Sequence, residues 1–382
     1  MATETLRVKN FGPIEEAHLD LRKVTVLIGE QASGKSVLAK LAAAFNDIFL
    51  EGRHLDAVWD FYNMKSFVSR DSDIRFRGKF FSQTMSGDVF EKQVAPEVLP
   101  IFQEYQTVKE RWDEDMTKAV LSNGERERAR TNREAMRVQR KHLQDICGTA
   151  KYFPAERSLV SVLSKSIFQL VDNDIKIPKF LSDFMAEYEV SRETVSAFDV
   201  PFLNATYAFR AGRDKVIISQ KREIDLSESA TGFQTTIPLA VVIEALQQKG
   251  KHIFIIEEPE LNLYPATQKK LVEYLVEKCT QSGNRLIITT HSPYILTALN
   301  NCIQARNVLR EHPERAAEAA KIVRPESQIA YEDVMAYFVA DGTAHSIMND
   351  ENRLIDGNAL DDISNELSEA FDQLLDLEME PA

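Results

Sequence analysis

Cysteine is scarce in this sequence: Cys147, Cys279 and Cys302 lie far apart, with no CxxC pair among them. That argues against a zinc site or a disulfide framework and suits a reducing compartment. No apolar run approaches the ~20 residues that span a bilayer. The opening Met-Ala-Thr-Glu-Thr lacks the basic start and apolar core of a signal peptide. The expectation is a cytoplasmic protein with no membrane partner. Positive charge is also in deficit, since 46 Lys and Arg against 59 Asp and Glu give a net charge of −13. This disfavours a surface that binds nucleic acid along its whole length and leaves a local basic patch open. No internal repeat or low-complexity segment occurs. What is present is 44% hydrophobic and 27% charged residues over 382 positions. That composition is globular, with room for one large α/β domain or two smaller units.

The most informative stretch is Gly29-Glu30-Gln31-Ala32-Ser33-Gly34-Lys35-Ser36, which reads GxxxxGKS. Lys23-Val24-Thr25-Val26-Leu27-Ile28 before it has the β-branched content of a buried strand, and the residues from Val37 to Phe45 have helix-forming composition. The motif thus has its required context of strand, loop and helix. Gly29 and Gly34 let the backbone curl so that N–H groups point at phosphate oxygens. The helix N-terminus adds partial positive charge. Lys35 is expected to reach the β- and γ-phosphates and Ser36 to ligate Mg²⁺. Gly29 through Val37 form the expected nucleotide-binding set.

A second signal is Glu257-Glu258, which follows the apolar run Phe254-Ile255-Ile256 and precedes Pro259. One carboxylate at a strand end can serve Mg²⁺, here Glu257. The next, Glu258, can orient or deprotonate the attacking water. His291 follows Thr289-Thr290 at the end of another apolar strand, and ligands of parallel sheets collect at such carboxyl ends. Glu258, His291 and Lys35 are the expected catalytic set. Ser227 to Gln234 is a polar, Gly-containing turn opening a helix, which local chemistry alone reads equally as an anion site or a plain N-cap.

Along the chain, residues 6–9 and 17–21 read as a hairpin around Asn10-Phe11-Gly12-Pro13-Ile14. Residues 58–86 read as aromatic-rich and irregular. Residues 100–121 and 125–146 read as an antiparallel helical hairpin. Its second helix carries Arg126, Arg128, Arg130, Arg133, Arg137, Arg140 and Lys141. Those residues suit either a solvated face with i,i+4 pairs or a docking surface for an acidic partner or nucleic acid. Strands are expected near 151–153, 205–209, 215–219, 252–256 and 285–290. Helices are expected over 158–187, 231–248 and 265–282. Residues 307–310 and 321–323 read as edge strands, and 361–377 as an acidic amphipathic helix.

Taken together, Asn10 to Ile14, the P-loop, Ser229-Ala230-Thr231-Gly232-Phe233-Gln234, Phe254 to Pro265 and Thr289-Thr290-His291-Ser292-Pro293 resemble the ABC-type ATPases of the SMC and RecF class. More narrowly, they resemble the OLD-like AAA family ATPases of bacterial defence and repair systems. The resemblance covers the catalytic core and implies an α/β P-loop NTPase with an ABC-type ATPase head, made of a mixed sheet plus an antiparallel β lobe, and a helical insertion. The implied division is 1–50 for the N-terminal β lobe and P-loop, 51–150 for the insertion, 151–300 for the rest of the core and 301–382 for a C-terminal α/β lobe. Ser229 and Gly232 would then act in trans, as a signature motif on the γ-phosphate bound to an opposing subunit. Asn262 would stand near the dimer interface, and His291 would be the switch histidine. Gln83 is taken as the Q-loop glutamine. Two departures stand out. Glu257 replaces the Asp usual in transporters and SMC proteins, and Ser-Ala-Thr-Gly replaces Ser-Gly-Gly.

The implied activity is ATP hydrolysis to ADP and phosphate with Mg²⁺, in a homodimer or higher assembly that forms on ATP. The implied partner is a separate effector, such as a nuclease, in antiphage defence, with nucleic acid left open. Alternatives are a RecF-like DNA repair ATPase and a scaffold with little hydrolysis. The segment between P-loop and signature is too short for a long coiled-coil arm. The residues after His291 lack a clear nuclease-type acidic cluster.

Overall fold

A computed structural model describes residues 4–116, 122–163, 176–219, 222–247, 249–356 and 369–373. Its frame is a sheet of eleven strands. The first seven are β1 (Glu4–Phe11), β2 (Ile14–Leu21), β3 (Val24–Ile28), β4 (Asp73–Arg77), β5 (Phe81–Ser86), β6 (Val89–Val94) and β7 (Thr149–Phe153). A separate antiparallel sheet holds β8 (Ala197–Val200), β9 (Ala205–Arg210), β10 (Arg213–Ser219) and β11 (Arg222–Asp225). The long sheet is completed by β12 (His252–Glu257), β13 (Arg285–Thr290), β14 (Val334–Ala340) and β15 (Thr343–Ser346). Its order is β6-β5-β4-β1-β2-β15-β14-β3-β13-β12-β7.

One half of this sheet is parallel. β14, β3, β13, β12 and β7 pair in parallel register, Ile256 beside Phe153 and Ile288, and Ile28 beside Thr290 and Phe338. Every residue of β3 and of β12 is buried. A strand covered on both faces has no solvent side, so the apolar run is continuous rather than alternating. The helix Lys35–Phe45 packs on β7, β12 and β13, and the helix Pro265–Cys279 packs on β12 and β13. The connections from β3 to β7 and from β12 to β13 run in opposite directions along the sheet. Right-handed crossovers therefore send their helices to opposite faces. Fully burying a Leu, Ile or Val side chain is worth about 1.5–3 kcal/mol, and this layer holds many, among them Ile253, Ile255, Ile256, Leu271, Leu275 and Ile288.

The other half is antiparallel. β1 pairs with β2 and β4, β4 with β5, and β5 with β6. β4 buries Ile74 and Phe76 and exposes Arg75 and Arg77, the alternation of a sheet with one wet face. Two helices, Leu99–Met116 and Asn123–Cys147, pack together beyond it as the expected hairpin.

Several expectations change. The stretch over 58–86 is not irregular, because it holds the end of the helix Leu55–Phe61 together with β4 and β5. Alternation within β4 and β5 is short and interrupted by Gly78, which hides it from a longer window. Residues 307–310 and 321–323 are not edge strands. The first lies in the helix Pro293–Glu311; of the second, Lys321 and Ile322 end the helix Ala316–Ile322, and Val323 is its extended cap. Ile295, Leu296, Leu299, Cys302 and Ile303 recur at helical spacing, and no breaker intervenes before His312-Pro313. The strands of this region are β14 and β15, which pair with β3 and β2 inside the long sheet. Of the helix expected over 361–377, residues 369–373 are helical and the rest lies outside the described residues. No described helix is long and apolar enough to cross a membrane.

Candidate functional site

The carboxyl ends of β3, β12 and β13 meet at one place. Gly29 leaves β3 with φ +154, and a Cβ there would stand 2.2 Å from the Val339 carbonyl oxygen of β14. Gly34, at φ +104, caps the helix Lys35–Phe45, and a Cβ there would stand 2.4 Å from Ile14 Cδ1. Both positions need glycine for conformation and for room. Between them Glu30, Gln31 and Ala32 are exposed, with Ala32 at φ +61 and Ser33 half-buried. Val37 turns into the core.

Lys35 is 5% exposed. Its ammonium donates to the carbonyls of Gly29 (2.9 Å) and Glu30 (2.5 Å) and to Ser33 Oγ (3.3 Å). Burial lowers its pKa, against the raising influence of Glu258, Glu257, Glu260 and Glu30. His291 stands beside it, with Nδ1 3.4 Å from Lys35 Nζ and 2.9 Å from the Gly29 carbonyl. His291 Nε2 is 2.8 Å from Glu258 Oε1. The ring thus bridges two oxygens, the Gly29 carbonyl on one side and the Glu258 carboxyl on the other. The structure therefore brings Lys35, His291 and Glu258 into one chain of contacts.

Glu257 is 5% exposed, and its Oε1 has no hydrogen-bond partner. Burial raises its pKa, and the nearby hydroxyls of Tyr152 and Ser36 and the charge of Lys40 lower it. Ser36 and Glu257 thus share a place, as the sequence suggests. Among the described residues no group of three or more His, Cys, Asp or Glu could hold a metal by itself. A carboxylate with a free oxygen beside a hydroxyl is the sparse donor set that Mg²⁺ uses when phosphates complete its shell.

Sequence reasoning missed two residues here. Glu260 Oε1 accepts from the Thr290 hydroxyl (2.5 Å) and from the His291 amide (3.1 Å), which fixes the backbone that presents His291. Its place in Glu-Glu-Pro-Glu was visible, but nothing in one sequence tells a fourth residue's role. Arg157 lies wholly buried against the Glu257-Glu258 turn, and a lone arginine after Phe-Pro-Ala-Glu gives no signal.

The remaining expected residues lie apart. Among the described residues, no hydrogen bond joins Ser229 or Gly232 to the P-loop, Glu258 or His291. Ser229 is buried, and its hydroxyl donates to the Leu226 carbonyl at 2.7 Å. A Cβ at Gly232 would meet the Asn262 carbonyl at 2.9 Å, so the two turns pack closely. Exposed Asn262, with φ +62, donates from Nδ2 to Thr235 Oγ1 at 3.1 Å. Gln83 is not at the site. It is buried in β5, and its Nε2 donates to the Asp47 carbonyl at 2.7 Å. Asp47 lies beyond the far end of the helix Lys35–Phe45, which at 1.5 Å per residue is roughly 16 Å from the P-loop.

Residues 156–296 match the family model described as AAA ATPase domain. This part of the chain is similar to an AAA ATPase domain. The chain containing it is 25% identical to the OLD nuclease of Thermus scotoductus (strain ATCC 700910 / SA-01), over 90% of this chain and 69% of that one. Solved structures similar to it include the SMC head domain from Thermotoga maritima, with 9% identity, 91% of this chain and 98% of that chain covered, and a TM-score of 0.41. The recombination mediator protein RecF is another, with 10% identity, 90% and 98% covered, and a TM-score of 0.33. The match to the ATPase domain begins after the P-loop and takes in Ser229, Glu257, Glu258 and His291.

Proposed function

We propose that this chain binds ATP and hydrolyses it with Mg²⁺, and that it dimerises on ATP to control a separate effector. The observation that carries the reading is the chain of contacts from Lys35 through His291 to Glu258, at the ends of three parallel strands. The Lys35 ammonium exchanges its loop carbonyls for β- and γ-phosphate oxygens. Amides of the loop and the helix N-terminus hold the same anion. Glu258 takes a proton from the attacking water, and His291 holds the carboxylate while its other ring nitrogen faces the loop that grips the phosphates. Ser36 and Glu257 would hold Mg²⁺, which would supply charge neutralisation on the phosphates.

The trans arrangement is supported by what surrounds Ser229. Gly232 packs on the Asn262 turn, and next to that turn Tyr264 is 78% exposed; Tyr294, three residues after His291, is 52% exposed. Aromatic side chains left in solvent beside a site are the kind a second copy covers. The relative's name, OLD nuclease, suggests nuclease chemistry for the effector; the place in antiphage defence rests on the resemblance of the motifs alone. A second reading, nucleic-acid binding in the RecF manner, is favoured by one feature. Arg126, Arg130, Arg133, Arg137 and Lys141 are exposed along one face of the helix Asn123–Cys147.

The test measures Mg²⁺-dependent ATP turnover with purified protein. Lys35→Ala loses ATP affinity, because it removes the charge on the phosphates; unchanged affinity rejects the P-loop assignment. Ser229→Arg keeps ATP binding and loses turnover. Mixing these two inactive variants restores part of the turnover, since each mixed dimer holds one intact composite site. No recovery at any ratio removes the support for action in trans.

A further inference from the structure

Arg157 is 0% exposed, and all four of its hydrogen bonds go to backbone carbonyl oxygens. Nη1 donates to Glu257 (2.6 Å) and Pro154 (3.0 Å), Nη2 to Glu258 (2.7 Å), and Nε to Thr235 (3.1 Å). A buried guanidinium without a directly bonded carboxylate is a costly choice for a core. Burial pulls its pKa down to about 10, while Glu260, Glu257, Glu258 and Glu156 push it up. The four carbonyls come from three places: the exit of β7, the exit of β12, and the second turn of the helix Thr231–Leu246 that Ser229–Gly232 opens.

What the clamp holds is strained. Glu258 has φ +41, a left-handed conformation that a non-glycine residue keeps only when its surroundings impose it. Its amide donates to the Thr289 carbonyl at 2.9 Å, and Arg157 holds its own carbonyl. With both ends of the residue fixed, the carboxyl group points at His291. Without the clamp the peptide after Glu257 is free to relax toward an ordinary φ, which swings the carboxylate away.

We infer that Arg157 is a positioning residue for hydrolysis, which aims the Glu258 carboxylate and ties it to the helix opened by Ser229–Gly232. This rests on the reading of Glu258 as the base. A flat fork with diverging donors is required, because the carbonyls lie around one plane rather than around a point. Lysine keeps the charge and loses the fork. The link to Thr235 gives the arrangement a second use. A neighbouring copy that presses on Ser229 moves a helix bolted to the backbone of Glu258, so closure and the aim of the base are coupled.

The experiment compares Arg157→Lys, Glu258→Gln and the double variant by single-turnover hydrolysis and by ATP binding. Arg157→Lys is expected to slow hydrolysis by about 10- to 100-fold, as misplacing a catalytic group does, while ATP affinity stays within about threefold. The double variant is expected to be no slower than Glu258→Gln alone, because one residue acts through the other. Hydrolysis at the wild-type rate in a folded Arg157→Lys protein overturns the inference. So do losses that multiply in the double variant, or affinity that falls as far as rate. Should the Lys variant not fold, Arg157→Gln is read by the same criteria. Loss of folding in both makes Arg157 a core residue only and also overturns it. If Glu258→Gln itself hydrolyses at the wild-type rate, the base has been misread, a pattern distinct from any of these.

Discussion

Strands β3, β12 and β13 bury nearly all their side chains, whereas β4 and β5 leave every second residue partly or fully in water and β6 leaves every one so. The contrast extends to charge. In the parallel half Lys35, Arg157, Glu257 and Glu260 are buried; the two cations are met largely by backbone carbonyls, whereas Glu257 Oε1 and Glu260 Oε2 have no hydrogen-bond partner. In the hairpin beyond the antiparallel half, Arg130, Arg133 and Arg137 stand in solvent. A buried charge acts at low dielectric and full strength. An exposed one is screened within about 8–10 Å and serves encounter rather than chemistry. On the proposed function the two regions divide catalysis from docking, and each half of that division can be broken separately.

The largest effect is expected from Glu258→Gln, which keeps size and hydrogen bonding but cannot take a proton. Its hydrolysis falls by about 10²–10⁴, ATP affinity survives, and size-exclusion with ATP and Mg²⁺ shows accumulated dimer. Glu257→Gln differs by a raised Mg²⁺ requirement. Equal Mg²⁺ dependence in the two variants erases the distinction between the acids.

His252 tests dryness at the other end of β12. Burial, and then Lys151, lower its pKa from 6.5 to about 4. The folded state thus takes up fewer protons than the unfolded chain between those values, and stability falls as pH drops through that window. From pH 7.5 to 5 the loss is about 2 kcal/mol, read as a shift in denaturation midpoint. His252→Leu removes this slope; an unchanged slope means other groups carry it.

Gly29→Ala pushes a methyl against the Val339 carbonyl and is expected to destabilise by about 1–3 kcal/mol. Gly212→Ala in the β9–β10 turn, where a Cβ meets nothing within 4 Å, retains only the backbone cost of φ +72, about 1 kcal/mol. Denaturant midpoints that rank the two the other way contradict the close approach of β14. The smallest effect on chemistry belongs to Arg130→Glu with Arg133→Glu and Arg137→Glu. Hydrolysis stays within about twofold, while association with a polyanion or partner weakens with a shallower salt dependence. Lost hydrolysis with intact association abolishes the division of labour.

The dry half was readable because one face of the argument sufficed: an unbroken apolar run ending in Gly29, Glu257 or Thr290 marks both the strand and its functional end. The helix Asn123–Cys147 was readable from its charge. What stayed hidden depends on pairing across distance. β14 looks ordinary until it lies beside β3, and the role of Arg157 exists only because Pro154, Thr235 and Glu258 converge on it. Gln83 failed for the converse reason, since its neighbourhood is set by β5 and not by any local motif.

The hairpin β14–β15 has a consequence for synthesis. Among the described residues it alone joins the two halves of the long sheet, β14 to β3 and β15 to β2. A ribosome delivering residues at about 5–20 per second releases the P-loop strand early, yet its sheet neighbour β14 is made some three hundred residues later. Until then Gly29 has no Val339 to lie against, and β3 offers an open edge. The proposed nucleotide pocket of a nascent chain is therefore finished late, from a segment remote in sequence, and chains released before residue 340 should carry every motif yet grip no nucleotide.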